Sequence, residues 1–563
     1  MLHHGLTPTA PPRADTSGGD QPASTRLPVD IRRLPWVSRL SADYAFDFPR
    51  LADFYNGNPS DPGAWREAIA RAQRHPRQRD AVADVLAAQQ QRRGAPPEAV
   101  AAAARLRDPH TVAVVTGQQA GLFGGPLFTI VKALTAIRLA EQLRAEHQVT
   151  AVPIFWIDAE DHDWDEVKRC TVLTQDCAAQ TVSLGDPPGA HESSVARVHL
   201  DDSAAAAVRD LEAALPGTEF TAEILAALRE TYCTGTGMAD AFGQWLERIL
   251  GPHGLVVYDA ADPATKPLVA DLFRREIEHA GETSQLAAAA GAALAERGYH
   301  AQVTPQDDSV ALFHLHDGRE PIRRDGDGFL VGTVIETTAE LLERVRTAPE
   351  SFSPNVLLRP LVQDTLFPTV CYVAGPSELA YLGQLRRVYA AFGVPMPLIQ
   401  PRATVTLLDS NAMRFLSRNE VPLESLRAQD EAALNALLES QLPPSVEASL
   451  QDALRAIDDR MAVVAKEVPQ IDATLEGAAR STLSRMQEDL RKLQGKIIQA
   501  AKRKDETLRR QYHHAQAQAF PGGEPQEREV GMVYFLNKYG PAFVERLSAA
   551  LPIEAGTHWV LTI

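Results

Sequence analysis

Apolar positions along this chain follow two rhythms, short unbroken runs and longer stretches spaced by three and four, and their order predicts the fold. The run VAVV at 112–115 passes into a glycine-rich turn, TGQQAGLFGGP at 116–126. Pro126 suits the first helical position, and Leu127, Ile130, Val131, Leu134, Ile137 and Leu143 then recur at helical spacing. A second run, AVPIFWI at 151–157, stops abruptly at an acidic cluster. The order is strand, helix, strand. It returns far downstream: VCYVA at 370–374 reads as a strand, Gly375 and Pro376 open a helix carrying Leu379, Leu382, Leu385, Val388 and Phe392, and residues 394–399 form another strand. Each connection is long enough to join parallel neighbours, so the expected architecture is α/β, a doubly wound parallel sheet whose halves are separated by a large insertion.

Within that insertion residues 203–250 read as helical, GLVVYD at 254–259 as a further core strand, and the following residues as helices to about Arg297. Short β-like runs at 301–304, 309–316 and 328–331, divided by Asp-Gly signals, predict a small meander over 300–332. Beyond Asn411 the pattern is helical and charged. Leu450, Leu454, Ile457, Met461, Val464 and Val468 form one seam, and Leu483, Met486, Leu490, Leu493 and Ile497 a second. Pro469 interrupts them, which predicts a chain reversal at 468–472 and an antiparallel α-helical coiled-coil arm. The expected divisions are a disordered tail at 1–28, core at 29–170, insertion at 171–350, core again at 351–410, coiled coil at 411–519, and a segment at 520–563 that packs back on the core.

Composition narrows the function classes. The 563 residues suit three to four domains at roughly 150 residues each. A net charge of −17 repels phosphate backbones and anionic lipid, so nucleic-acid and membrane partners are not expected. No apolar run reaches the roughly 18 residues of a membrane span, and the first residues lack a basic-then-apolar secretory pattern. Cys170, Cys177, Cys233 and Cys371 make no CxxC pair and no disulfide framework, which fits reduced thiols and a cytoplasmic protein.

Ligands of an open parallel sheet collect beyond the carboxyl ends of its strands, and three motifs fall there. The turn holding Thr116, Gly117, Gln118, Gln119, Gly124 and Gly125, with Lys132 in the following helix, is read as an anion or nucleotide phosphate site built from backbone N–H groups. It is neither a Walker loop nor GxGxxG, and tight packing of a strand-to-helix turn is the competing reading. The cluster Asp158, Glu160, Asp161, His162, Asp163, Asp165, Glu166 crowds like charges around a histidine, which suits proton transfer or Mg²⁺ binding; a solvated acidic loop is the competing reading. Arg359, Gln363 and Asp364 precede the second half-sheet, and Arg402 follows it; each arginine suits either a carboxylate or phosphate clamp or a structural ion pair. Tyr372, Glu378 and Tyr381 are further candidates.

Four blocks, TGQQAGLFGGPLFTIVKA, VPIFWIDAEDHDWDEV, SPNVLLRPLVQDTLFPT and YVAGPSELAYLGQL, resemble in order the BshC family, the cysteine-adding enzymes of bacillithiol biosynthesis. The resemblance runs from about Leu34 to the C-terminal end. It implies a Rossmann-like core similar to class I aminoacyl-tRNA synthetases, interrupted by connecting-peptide insertions, and a coiled-coil domain supporting homodimers. The implied reaction joins the carboxylate of L-cysteine to the amine of glucosaminyl-malate, with ATP as the activating cosubstrate and Mg²⁺ as its companion. On that basis the turn from Thr116 to Gly125, with Lys132, holds nucleotide; Asp161, His162 and Asp163 orient or deprotonate the attacking ammonium; and Asp158, Glu160, Arg359, Gln363, Asp364, Tyr372, Glu378, Tyr381 and Arg402 bind substrate. The paired-histidine His-Ile-Gly-His and the Lys-Met-Ser-Lys-Ser signatures of class I synthetases do not occur here, so adenylate and acyl-phosphate routes both stand. A non-catalytic nucleotide-responsive assembly protein is the second reading, and a metal-dependent hydrolase the third.

Overall fold

The computed structural model describes residues 26–306, 308–316, 318–440, 444–472, 474–504 and 506–563. Its centre is a five-stranded parallel sheet made of β1 (Val112–Gln118), β2 (Ala151–Ile157), β3 (Val256–Asp259), β4 (Thr369–Ala374) and β5 (Leu398–Pro401), in the spatial order β5-β4-β1-β2-β3. This is the doubly wound Rossmann-like order, with the winding reversed between β1 and β4. The strands read as near-continuous apolar runs because both faces are covered. Ala113 and Val115 enter one core while Val112 and Val114 enter another across the sheet. Helix α1 (Leu127–His147) crosses back from β1 to β2, and its own residues are buried almost all round. The expected core strand in the insertion is β3, which pairs with β2 at the sheet's edge.

Several local expectations change. The meander is a five-stranded antiparallel sheet that starts at Ser309–Leu315, not at residue 301, and it recruits Phe352–Pro354 as an edge strand. Asn355 accepts hydrogen bonds from the N–H groups of Leu357 and Leu358, turning the chain into helix α2 (Arg359–Leu366). The helix opened by Pro376 stops after α3 (Pro376–Leu382) and resumes at Arg386–Phe392, and the last core strand begins at Leu398 rather than 394.

The C-terminal part forms the expected arm. Helices α4 (Pro444–Glu467) and α5 (Leu475–Lys504) run antiparallel about a short turn at Val468–Gln470, with Gln487 reaching Asp458 across the pair. Of the expected tail, residues 1–25 lie outside the described residues, and residues 26–28 already belong to a strand. Arg26–Asp30 pairs antiparallel with Thr557–Leu561, which pairs in parallel with Thr404–Leu407. Among the described residues no helix is long and apolar enough to cross a membrane.

One buried acid in the insertion makes stability depend on pH. Glu276, on the helix Ala270–Glu278, accepts hydrogen bonds from Thr283 Oγ1 and from the Ala311 N–H at 2.7 Å, and burial pushes its carboxyl up to about 7. A raised folded-state value means that the stabilising contribution is complete below the ordinary value of 4.5 and is lost as the pH rises through about 7. Over that window the loss is on the order of 3 kcal/mol. Denaturant midpoints at pH 5 and 8 should therefore differ, and Glu276→Gln should flatten the difference; an unchanged slope in that variant would assign it elsewhere.

Candidate functional site

At the reversal point the carboxyl ends of β1, β2 and β4 open into a crevice of ≈ 770 Å³. Strands β1 and β2 close together at its floor, where a Cβ on Gly117 would come within 2.7 Å of the Trp156 carbonyl oxygen. From β1 and the residue after it come Gly117, Gln118 and Gln119; from α1, Lys132; from β2 and the segment that follows it, Trp156, Asp158, Asp161 and Glu166. Arg359 stands at the start of α2, Tyr372 is on β4, and Glu378 and Tyr381 are on α3.

These groups fall into linked sets. Lys132 Nζ lies 2.5 Å from Glu378 Oε2 and donates to the Gly117 carbonyl at 2.6 Å. Glu378 also accepts from Tyr372 Oη at 2.6 Å and from the Gly375 N–H at 2.6 Å. Burial alone would raise this carboxyl, but Lys132 and the hydrogen bonds hold it below the usual glutamate range, so the pair is ionic. The Arg359 guanidinium donates to Tyr381 Oη at 2.8 Å and lies 5.7 Å from the Trp156 ring centre and 5.9 Å from that of Tyr372. Asp158 lines the same crevice. Loss of hydration pushes the Asp158 carboxyl above its ordinary value, with Arg359 opposing and Asp161 reinforcing the shift. Asp161 accepts from Gln119 Nε2 at 2.5 Å and from the His162 N–H at 2.8 Å. Partial desolvation likewise raises Glu166, against a hydrogen bond from Gln119.

Eight sequence candidates point elsewhere. Thr116 is buried and donates to the Val373 carbonyl, tying β1 to β4. Gly124 and Gly125 pack under the C-terminal segment, with Met532 Sδ 2.6 Å from where a Gly124 Cβ would stand. Their N–H groups are spent on Gly121, Tyr232 and Leu122, and that of Leu127 on Val530. Of the turn expected over residues 116–126 to hold an anion on free backbone donors, the glycines at 121, 124 and 125 are thus packed and already bonded. Glu160 turns to the opposite side, where it pairs with buried Lys266. Asp163 caps the short helix Trp164–Val167, and His162 projects into solvent with its side chain 66% exposed. Gln363 and Asp364 face inward on α2; Gln363 Oε1 lies 3.4 Å from Arg359 Nη1, while Asp364 accepts from Tyr389 Oη at 2.5 Å. Arg402 does line the crevice, but its charge is matched by a bidentate contact with Glu527 at 2.9 and 2.6 Å, the structural alternative of the two readings.

An exposed side chain without a role in the crevice predicts a mild variant: His162→Ala should keep the turnover of the crevice within about twofold of the parent, while a loss beyond tenfold would return His162 to the chemistry.

Trp156, Arg169, Arg319, Asn355 and Arg528 also line the crevice without having been singled out. Trp156 carried a signal, its place next to the end of a core strand. The three arginines come from a hairpin, the insertion and the C-terminal segment, where no local pattern marks them. Among the described residues none of the three makes an ion pair; Arg319 donates to the Pro354 carbonyl and lies over the Phe313 ring, and Arg169 and Arg528 leave cationic capacity for anionic ligands. The one convergent three-ligand group among the described residues is Asp165, Asp186 and His191, all exposed, and Lys168 Nζ already lies 2.6 and 2.8 Å from its two aspartates.

Comparison with known proteins gives two family matches that divide the chain between them. Residues 27–403 match the model described as bacillithiol biosynthesis BshC, N-terminal Rossmann-like domain, and residues 405–563 match the corresponding C-terminal coiled-coil domain. A relative from Salinibacter ruber, named putative cysteine ligase BshC, is 36% identical over 530 residues, 93% of this chain and 96% of its own. Relatives of the same name from Koribacter versatilis and Symbiobacterium thermophilum are 35% and 32% identical, covering 92% and 94% of this chain and 96% and 99% of their own lengths.

Proposed function

The chain belongs to the BshC family of bacillithiol biosynthesis, and from that premise we propose that the crevice at the reversal point joins the carboxylate of L-cysteine to the amine of glucosaminyl-malate in an ATP-dependent, amide-forming ligation. The observation that carries this reading is the meeting of a desolvated carboxylate, Asp158, with the Arg359 guanidinium in one crevice. An amine attacks only after losing its proton, and a carboxylate of raised pKa is a better acceptor than an ordinary one. Arg359, held by Tyr381 and Gln363, presents a rigid fork suited to a carboxylate of malate or cysteine.

Amide formation from a free carboxylate in water is uphill, so a nucleotide must convert its oxygen into a leaving group. The packed turn after β1 offers few free N–H donors. Nucleotide phosphates would instead be met by the guanidinium groups of Arg169 and Arg528, with Arg319, which already donates to the Pro354 carbonyl, beside them, and Asp161 and Glu166 offer oxygen ligands for an accompanying Mg²⁺. Those arginines would serve a nucleotide sensor equally; what favours ligation over the sensor is the desolvated Asp158 in the same crevice. The arm is read as the module for homodimers, in keeping with exposed Val463, Val464, Met486 and Leu493.

Mass spectrometry of purified protein with L-cysteine, glucosaminyl-malate, ATP and Mg²⁺, each omitted in turn, tests the assignment. Product in the complete mixture alone is expected, and AMP or ADP in that tube identifies the activation route. Folded protein that binds nucleotide yet makes no product would overturn it.

A further inference from the structure

Outside the crevice, a second set of reactive groups meets where the two family domains touch. Cys177 occupies the turn of the hairpin formed by Arg169–Leu173 and Ala179–Ser183, with a left-handed φ of 59° and its N–H bonded to the Thr174 carbonyl. His514 and Gln518 lie on the helix Glu506–Ala519, and Asp409 caps the helix Ser410–Asn419. Cys177 Sγ is 3.7 Å from His514 Nδ1, and the other ring nitrogen, Nε2, is 2.7 Å from Asp409 Oδ2. Asp409 is itself fixed. Its Oδ1 accepts from the N–H groups of Asn411 and Ala412 at 3.0 and 2.8 Å, and its Oδ2 accepts from Gln518 Nε2 at 2.6 Å.

Two groups meet Nε2, Asp409 Oδ2 and the Gln518 amide nitrogen at 2.9 Å; in the tautomer that carries its proton on Nε2, toward Asp409, the Nδ1 lone pair faces the thiol. Nucleophile, base and orienting acid thus stand in the order that activates a thiol. Partial burial raises the Cys177 thiol above its ordinary value; Lys538 and a hydrogen bond from Gln518 oppose the shift, while Asp409 and Asp176 add to it. A thiol held protonated in this way depends on His514 to take its proton. The other cysteines lack such a base. Burial raises Cys170, to about 12, and Cys371, and exposed Cys233 has Thr236 Oγ1 as its neighbour at 3.1 Å.

We propose that Cys177, His514 and Asp409 form a thiol-exchange site that takes small disulfides of low-molecular-weight thiols. His514 Nδ1 accepts the Cys177 proton as Sγ attacks one sulfur of the disulfide. A new S–S bond joins Cys177 to that half, the original S–S bond breaks, and the other half leaves as a thiolate that recovers the proton to become a free thiol. The assignment is independent of the ligase reading. It also places a covalent change on the hairpin whose base, through Arg169, Cys170, Thr171 and Thr181, lines the crevice.

Full-length protein incubated with glutathione disulfide at pH 7 and followed by peptide mass spectrometry decides it. Cys177 is expected to gain the glutathionyl mass at least tenfold faster than Cys233, although Cys233 is the more exposed. His514→Ala should slow Cys177 at least tenfold and leave Cys233 unchanged. Equal or faster labelling of Cys233 in the parent, or an unchanged Cys177 rate in the variant, would overturn the proposal. If His514→Ala does not fold, the comparison of the two cysteines in the parent protein, together with His514→Gln, still decides.

Discussion

Asp158→Asn is expected to lower kcat/KM for ligation by about 10²- to 10⁴-fold, the range that a positioned general base supplies, while leaving the fold intact. The residue follows β2 directly, its N–H donates to the Gln118 carbonyl, and no hydrogen bond to its carboxylate from another described residue restrains it. Asparagine keeps that shape and loses the ability to take a proton. Removing a desolvated charge should also leave the denaturant midpoint unchanged or slightly raised, which separates a chemical defect from a folding one. The pH profile offers a second readout. Because loss of hydration raises the Asp158 carboxyl, the acid limb of the parent's rate should lie at a higher pH than an ordinary aspartate's. Turnover by Asp158→Asn close to the parent's would remove the residue from proton transfer.

The largest stability effect is expected at Arg402 and Glu527. Their side chains are 5% and 7% exposed, and the Glu527 carboxylate also accepts from the Val405 N–H at 3.0 Å. Although burial alone would raise Glu527, Arg402 and its hydrogen bonds hold the carboxyl below the usual range. Arg402→Met leaves that carboxylate buried without its partner, a loss of about 3–5 kcal/mol. Arg402→Met with Glu527→Leu removes both charges and should recover most of the loss, because no unpaired ion remains. Urea denaturation of the two variants is the check; a double variant as unstable as the single one would mean that packing, not charge, dominates there. The sign with pH follows from the depressed carboxyl: the pair's contribution is present above the ordinary glutamate range and fades as the pH falls through the folded-state value.

The core was legible because its strands must be apolar on both faces and its helices must repeat every 3.6 residues, so residues 112–157 and 254–259 announce themselves. The arm was legible for the same reason, with Pro469 marking its turn. The site was legible only in part. Sequence placed Asp158, Asp161, Arg359, Tyr372, Glu378 and Tyr381 near the strand ends, and the crevice gathers them. It could not say which members of a dense acidic run face inward, since a single turn sends Glu160 to Lys266 and His162 into water. Nor could it tell a cradle of free N–H groups from a packed turn, because the groups that consume them, Val530 and Tyr232, arrive from distant parts of the chain.

The two strands that flank the reversal point carry a consequence for how the molecule assembles. Ala113 of β1 sits opposite Thr369 of β4, so neighbours at the sheet's centre are about 250 residues apart along the chain. Closing so long a loop costs conformational entropy that no contact repays until it is closed, and such pairings form late. An insertion that has already collapsed around its own antiparallel sheet shortens the effective loop, so it acts as a folding spacer as well as a wall of the crevice. Damage confined to the insertion's core, far from any ligand, would then surface as slow or incomplete maturation of the crevice.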